Sequence, residues 1–369
     1  MSKYNTNNER IKRKYLTFLK QAKGQSEASI DAVAAAIARF EKYNKYRDFK
    51  QFHFEQAIGF KRYLAKQTNH KTGKPLSLAT INSATRHLKN FIQWLSQETG
   101  YRSRITYSDA EYFNIAEKDV RAVKSVRQKP VATLEQIKHV LTIMPSGTAL
   151  ERRNRALIAF TLLTGARDSA IASIKLKHVD LEAGAVFQDA REVRTKFSKT
   201  FTTYFFPVGD EIRVIFDEWV RYLKEQCMFG HDDPLFPKTK LGLGADQKFE
   251  AVELSRENWS SASPIRQIFK NAFALAALPY FNPHSFRDTL VVLGEKLCQS
   301  PEEFKAWSQN LGHEQVLTTF CSYGEVQSSR QSEIFKQFGK PSRVGGVSTV
   351  DEIAIAKAVA RELGRTQAG

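Results

Sequence analysis

Four short motifs in the second half of the chain carry side chains that can bind charge or transfer protons. They are TGAR, which ends at Arg167; TKFSK, with Lys196 and Lys199; HSFR, with His284 and Arg287; and LGH, whose His313 precedes Tyr323 by ten positions. Each motif alone is weak, since arginines begin many helices and most histidines and tyrosines only stabilise a fold. Together, the motifs combine two permanent cations, several proton donors and acceptors, and a phenol nucleophile.

This combination of residues suits displacement at a phosphodiester without a metal ion. As negative charge develops on the non-bridging oxygens, Arg167 and Arg287 can each bind those oxygens through paired hydrogen bonds. An attacking phenol, with a pKa near ~10, must lose its proton, and a departing alkoxide leaves poorly unless it gains one. His284 and a lysine of TKFSK can carry out these transfers. The spacing of His284 and Arg287 places both on one face of a helix.

These motifs, in this order, resemble the tyrosine recombinase (phage integrase) family over about residues 155–325. The resemblance implies that Tyr323 attacks a DNA phosphate to give a 3′-phosphotyrosyl intermediate, which a 5′-hydroxyl of a partner strand resolves. It also implies that neither a metal nor ATP is needed, so we expect no cofactor. Tyr323 is the only tyrosine after His313, although the interval between them is one residue longer than is usual in the family.

The same resemblance implies a role for four of the other residues. Arg167 and Arg287 resemble the two invariant arginines of the family, and His284 resembles the residue that handles a proton. His313 resembles the position that donates a hydrogen bond to the phosphate. A glutamate usually follows the first arginine by three residues, but Ala170 stands there in this chain. Another group must therefore orient Arg167, and the neighbouring Asp168 is a candidate.

The resemblance also implies that the leaving oxygen receives its proton from a lysine of a β-hairpin. Two lysines of TKFSK compete for this role. Lys196 directly follows Thr195 at an expected strand end, which resembles the usual placement, whereas Lys199 lies across the turn. We favour Lys196 as the catalytic lysine and expect Lys199 to contact DNA.

Positive charge is concentrated in the first third of the chain, which suggests a polyanion as partner. Residues 1–130 hold 26 lysines and arginines against 11 aspartates and glutamates, a net +15, while the remainder holds 30 against 28, a net +2. A block of this kind is expected of a protein that binds nucleic acid, and we predict double-stranded DNA. The candidate contacts in this region are Lys71, Arg86, His87 and Lys89.

Other compositional features narrow the class of protein. No stretch approaches the roughly 18 apolar residues of a membrane span, and the first residues lack the apolar core of a signal peptide. Three cysteines, without CxxC spacing, argue against a disulfide framework or a cysteine metal site, and no histidine pair has zinc spacing beside a third ligand. We expect a soluble protein of a reducing cytoplasm, and the resemblance implies a bacterial one associated with the nucleoid.

The basic third has the apolar spacing of amphipathic helices. Residues 26–46 and 54–64 each place apolar side chains three or four positions apart, which predicts two helices. A third helix is predicted from Ser77, as its N-cap, to a stop at Gly100. The charged segment 121–132 then predicts a linker. We therefore expect a helical domain over residues 1–120, and the resemblance implies that it is a SAM-like domain that binds the DNA core site.

The second domain is predicted over residues 133–340, beginning with a capping box formed by Thr133 and Gln136. A buried helix should end at Gly165, and another should begin at Arg167. The segments expected as strands are AVFQ (185–188), EVRTK (192–196) and FTTYFFP (201–207). Helical patterns return in EIRVIFDEWVRYLKEQ, PIRQIFKNAFALAAL, RDTLVVLGEKL and PEEFKAWSQNLG. The fold class is therefore mainly α with a small antiparallel β-sheet (α+β), and the resemblance implies that this domain is catalytic.

The last segment, residues 341–369, joins a Gly-rich stretch to an amphipathic helix that begins with a capping box at Thr349. Its helix could pack on its own domain. The resemblance implies instead that it docks into a neighbouring subunit, so that cyclic contacts close into a homo-tetramer on DNA, with accessory DNA-bending proteins as further partners.

Two other functions stay open at this point. One is a DNA-binding regulator of the same fold that has lost cleavage, although the complete set of six catalytic positions argues against it. The other is a DNA-relaxing enzyme like the type IB topoisomerases, which would share the phosphotyrosine chemistry but need no synapsis. The site sequence and the outcome, whether integration, excision, resolution or transposition, do not follow from the residues.

Overall fold

A computed structural model describes residues 4–69, 72–124, 130–243 and 249–313. The chain forms two compact units, Met1–Ser125 and Val126–Gly369, and each unit has its own hydrophobic core. Tyr323 and the C-terminal helix predicted beyond it lie outside the described residues, and so does Lys71. Among the described residues, no helix is long and apolar enough to cross a membrane.

The described part of the first unit contains five α-helices. They are α1 (Thr6–Gln21), α2 (Glu27–Tyr43), α3 (Phe54–Ala65), α4 (Leu78–Leu95) and α5 (Glu117–Lys124). The predictions for α2, α3 and α4 are confirmed, and the Ser77 hydroxyl caps α4 by accepting from the Thr80 amide at 3.2 Å. Helix α4 ends five residues before the predicted stop at Gly100. Helix α5 also covers the first residues of the segment expected to be a linker.

Helix α1 is another element of this unit that we did not predict. It begins after Asn5, whose side chain accepts from the amides of Asn7 and Asn8, and its buried apolar side chains are Ile11, Tyr15 and Leu19. These three residues follow one another at intervals of four positions, so the segment carries a helical pattern among its many charged residues. The aromatic rings of the core include Tyr15 and Phe91, whose centroids are 5.1 Å apart.

The second unit is built around α7, a helix that is buried on nearly every side. The helices in its described residues are α6 (Leu134–Ile143), α7 (Ala149–Thr164), α8 (Asp168–Ile171), α9 (Asp210–Glu225), α10 (Ser263–Leu275), α11 (Ser285–Leu297) and α12 (Pro301–Asn310). Every residue of α7 from Ala156 to Thr164 is buried, as expected of a helix that is apolar all round. Helix α9 packs against it, with the Phe160 and Phe216 rings 5.1 Å apart.

A small antiparallel sheet of three strands lies in the same unit. It consists of β1 (Val179–Asp180), β2 (Ala185–Gln188) and β3 (Phe201–Tyr204), in that order. The strands predicted at AVFQ and at the start of FTTYFFP are therefore confirmed. A second hairpin, β4 (Thr239–Leu243) with β5 (Phe249–Leu254), was not predicted. Together the helices and small sheets confirm the predicted fold class.

The prediction of a strand at EVRTK (192–196) is wrong. The Asp189 carbonyl accepts from the amides of Glu192 and Val193, and the Asp189 carboxylate accepts from the Arg191 amide, so the segment closes into turns. The Arg194 amide then donates to the Ser173 hydroxyl and not to a neighbouring strand. Local bonds of this kind compete with a strand ladder, and the β-branched residues of the segment do not reveal them.

Candidate active site

Arg287 is the central cation of the candidate site. Helix α11 carries it into the core, where only 4% of the residue is exposed. Its guanidinium donates to the Gly165 carbonyl at 2.6 Å, to the Leu311 carbonyl, and to Nε2 of His313 at 2.8 Å. Burial, and then the charge of Arg167, lowers the pKa of Arg287 to about 9, so the group stays protonated at neutral pH.

The two carbonyls that hold Arg287 come from turns at the ends of α7 and α12. Gly165 has φ +58°, and a Cβ there would lie 2.8 Å from Leu311. Gly312 has φ +69°, and a Cβ there would lie 2.8 Å from the Phe201 ring. Only glycine combines a left-handed backbone with this little space, so both turns depend on their glycines. Gly312 thus forms the turn that directly precedes His313.

His313 lies at the end of the described chain, against Arg287. Because a guanidinium can only donate, Nε2 of His313 must accept, which fixes the neutral ring with its proton on Nδ1. Burial, followed by the positive charges of Arg287 and Arg167, lowers the pKa of His313 to about 4. At neutral pH this histidine is therefore an uncharged acceptor for Arg287.

Arg167 lies at the turn between α7 and α8, where it is the N-cap residue of α8. Burial lowers its pKa, and its charge in turn lowers the pKa values of Arg287, His284 and His313. The charge of Arg167 thus acts on the other three side chains of the candidate site. Asp168, the residue expected to orient Arg167, instead accepts from Arg266 Nε at 2.7 Å.

His284 precedes α11 and is thus one turn from Arg287, as the HSFR spacing predicts. Its ring reaches the surface, but the atoms packed around it remove part of its water. This burial, and then the charges of Arg287 and Arg167, lowers the pKa of His284. A neutral imidazole at physiological pH can accept a proton.

The two candidate lysines lie in the loop between β2 and β3 and approach the site differently. Lys196 is exposed at the tip, and its charge acts on His284. Lys199 is half-buried, and its charge acts on His313. Lys199 also lines, with His313, an open cavity of about 910 Å³ between β3 and α12. Both lysines therefore remain next to the site.

Arg194, which we did not single out from the sequence, anchors this loop. Its guanidinium donates to the carbonyls of Ala172 at 3.1 Å, Trp259 at 2.6 Å and Ser260 at 2.7 Å. It thus ties the loop of the two lysines to the residues that follow α8 and β5. Nothing in the sequence distinguishes Arg194 from the other arginines, since its partners are all backbone groups.

The residues proposed as DNA contacts in the first unit differ in their surroundings. Arg86 is exposed on α4. His87 is half-buried, with Nε2 3.3 Å from the Ser83 hydroxyl, and burial lowers its pKa. Lys89 pairs with Glu111 at 2.7 Å, so it would have to leave that carboxylate to bind a phosphate. Of these residues, Arg86 is the one most readily offered to a partner.

In the second unit, the site thus combines two guanidiniums with two histidines that are neutral at physiological pH. An oxyanion would be stabilised beside Arg167 and Arg287, since both cations are partly withdrawn from water and Arg287 is held in place before a ligand arrives. The adjoining His284 could accept a proton from a nucleophile. Such a site suits chemistry at a phosphate ester.

Comparisons with known proteins show which family the chain resembles. The sequence profile of the phage integrase family matches residues 130–330, more than half of the chain. The tyrosine recombinase XerC of Lactobacillus delbrueckii subsp. bulgaricus is 24% identical over 251 residues, which cover 67% of this chain and 72% of XerC. That of Treponema denticola is also 24% identical, over 87% of this chain and 96% of its own.

Among solved structures, the Tn1549 transposon integrase in complex with transposon right end DNA has the same fold. The TM-score is 0.57 at 15% identity, and the match covers 89% of this chain and 99% of the integrase. With the family profile spanning the whole described site, the chain belongs to the phage integrase family and is a tyrosine-type site-specific recombinase.

Proposed function

We propose that this recombinase cleaves and rejoins double-stranded DNA through a covalent bond to Tyr323. The phenol oxygen attacks a backbone phosphorus, the bond from phosphorus to the 5′-oxygen breaks, and a 3′-phosphotyrosyl link and a free 5′-hydroxyl result. A 5′-hydroxyl from a partner strand then attacks the same phosphorus and releases Tyr323. Each step exchanges one phosphate ester for another, so the energy of the broken bond is conserved without ATP.

The observation that carries this proposal is the fixed Arg287 beside Arg167. A buried guanidinium held by two carbonyls is oriented before substrate binds, which makes it an effective clamp for the charge that develops on the phosphate. Its third partner, Nε2 of His313, accepts a hydrogen bond from it. We therefore propose that His313 orients Arg287, and a hydrogen bond donated to the phosphate would have to come from Nδ1.

The protons have proposed routes as well. Neutral His284 accepts the proton of the Tyr323 hydroxyl, and Lys196 donates a proton to the departing 5′-oxygen. The charge of Lys196 acts on His284 and helps to lower its pKa, which supports this pairing of a base with an acid. Lys199, on the side of His313, is the alternative donor.

Double-stranded DNA is the proposed substrate. The Tn1549 integrase was solved with transposon DNA, and a lambda integrase dimer of the same fold was solved on a core site. The net +15 of residues 1–130 supports the same partner. Binding that depends on phosphate contacts should weaken steeply as the salt concentration rises.

The proposal is tested by trapping the covalent intermediate. The substrate is a pool of DNA duplexes with randomised core sequences, each of which carries a nick. After cleavage, the short fragment with the new 5′-hydroxyl diffuses away, so it cannot reverse the reaction. The wild-type chain should form a covalent adduct visible on a denaturing gel, and Tyr323→Phe should form none. Tyr280→Phe is the matched control, because Tyr280 is 48% exposed and near Asp168 and Arg266.

Tyr280→Phe should retain the adduct. Formation of the adduct by Tyr323→Phe would contradict the choice of nucleophile. Absence of any adduct from the wild-type chain across the pool would contradict strand cleavage itself.

A further inference from the structure

The tip of the loop between β2 and β3 holds an aromatic residue in an unusual setting. Phe197 has φ +60°, and the next residue, Ser198, has φ +51°. Two consecutive non-glycine residues in the left-handed region are costly, and a bulky side chain there is an outlier. The Phe197 ring is nevertheless 80% exposed, so burial within the described chain does not compensate for this backbone. Strain of this kind, held at a surface, points to a function of the tip.

The loop beneath this tip is firmly anchored. Val193 is buried, and the Arg194 guanidinium binds three backbone carbonyls on two other segments. On the opposite side, the Ala190 amide donates to the Thr200 hydroxyl at 3.0 Å. These contacts hold the base of the loop in place, so the exposed Phe197 ring has a defined position.

That place adjoins the candidate active site. Lys196 Nζ lies 4.8 Å from the centroid of the Phe197 ring, and the charge of Lys196 acts on His284. A ligand phosphate bound between the arginines would bring its flanking nucleotides towards this tip. The Phe197 ring is thus an apolar surface beside cations that can bind a phosphate. A nucleic acid is complementary to this arrangement, because the apolar faces of its bases lie next to its phosphates.

We propose that Phe197 is a DNA contact that inserts its ring against the base-pair step next to the scissile phosphate and loosens the stacking there. The proposal rests on the proposed function, since it requires DNA in the active site. Its consequence is that Phe197 helps to select where the strand is cleaved, because base-pair steps differ in how easily they unstack.

The test compares cleavage by the wild-type chain and by Phe197→Ala on a nicked duplex selected from the randomised pool. Loss of an aromatic contact with a base should lower the cleavage rate roughly 5- to 100-fold. On the same duplex with a mismatch at the flanking base pair, unstacking is already achieved, so Phe197→Ala should approach the wild-type rate. Phe197→Tyr, which keeps a ring, should cleave both duplexes like the wild type.

Two further variants control for exposure and strain. Phe187→Ala removes another exposed ring, 47% exposed on β2, and should leave cleavage unchanged. Phe197→Gly removes the ring and also relieves the left-handed backbone, so it should be as slow as Phe197→Ala if the ring matters. Wild-type cleavage by Phe197→Gly would show that the backbone and not the ring is responsible, and would overturn the proposal.

The remaining outcomes also separate the explanations. Equal cleavage of the paired duplex by the wild type and by Phe197→Ala overturns the role of Phe197 but leaves the proposed function intact. If the defect of Phe197→Ala is instead restored by replacing the leaving 5′-oxygen with sulfur, the ring acts through Lys196, and the contact with the base pair is again overturned. A wild-type chain that forms no adduct overturns the proposed function itself.

Discussion

At the scale of single residues, Arg287 is the most buried of the candidate catalytic residues in the described chain. A buried guanidinium is costly unless its donors are satisfied, and here backbone carbonyls 122 and 24 positions away satisfy two of them. The motif HSFR and its resemblance predicted that this arginine binds phosphate. The sequence could not predict its anchors, since every residue offers a carbonyl and only the tertiary fold selects Gly165 and Leu311.

The choice between the two lysines is also a residue-scale question, and chemistry can decide it. A sulfur in place of the leaving 5′-oxygen departs without being protonated, so it removes the need for a general acid. Lys196→Ala should slow cleavage of the ordinary phosphodiester about 10²- to 10⁴-fold and recover on the sulfur substrate. The measurement is the rate of adduct formation on the two substrates.

Lys199→Ala is the matched control for this prediction. It should weaken DNA binding modestly and show no selective recovery with sulfur. If recovery is seen with Lys199→Ala and not with Lys196→Ala, the assignment of the two lysines is reversed.

At the scale of elements, the turn after α7 places both arginines of the site. Gly165 is followed within two residues by Arg167, and its carbonyl receives a hydrogen bond from Arg287. Sequence patterns located this turn because α7 is apolar and ends in TGAR. They could not show that Leu311 and Leu290 close over Gly165 from α12 and α11.

Gly165→Ala should therefore destabilise the fold by more than the strain of an alanine in a left-handed backbone alone. We expect a loss of about 2–5 kcal/mol in the free energy of unfolding, from the backbone conformation and from overpacking against Leu311 together. Urea denaturation of the variant measures this loss. Gly184→Ala is the control, since Gly184 has φ +60° but its nearest neighbour is an Arg213 guanidinium nitrogen at 3.4 Å.

The control should lose about 1–2 kcal/mol. Equal losses for the two variants would show that the packing of Leu311 and Leu290 around Gly165 is looser than the structure indicates.

The elements that sequence patterns missed have identifiable causes. In α1, frequent charges lower the apolar signal although three buried residues keep helical spacing. In β4 and β5, charged residues interrupt the apolar pattern, as with the exposed pair of Lys240 and Glu253 at 2.6 Å, so few apolar residues indicate strands. In EVRTK, turns closed by Asp189 replace the strand. Long apolar helices such as α7 were predictable because burial dictates their composition.

At the scale of the whole molecule, charge and chemistry are separated along the chain. The first unit carries most of the net positive charge, while the second carries the described part of the candidate site. We propose that residues 1–120 bind DNA, that residues 133–340 catalyse cleavage and that residues 341–369 link subunits. Association on DNA would then depend on the last segment without involving the active site.

Deletion of residues 346–369 tests this division of roles. The truncated chain should bind a single DNA site as the full chain does, because it keeps the basic unit and the arginines. It should assemble less well into complexes that hold two DNA sites, as measured by native gel shifts and by strand exchange. Unchanged synapsis and exchange would contradict a linking role for this segment.

The central claim is that Tyr323 becomes bonded to a DNA phosphate beside Arg167 and Arg287. The most direct measurement is mass spectrometry of the adduct after nuclease and protease digestion, which identifies the residue that carries the nucleotide. We predict a single modified peptide with the phosphate on Tyr323 and the DNA attached through its 3′-end. A nucleotide on any other residue, or attachment through a 5′-end, would contradict the account.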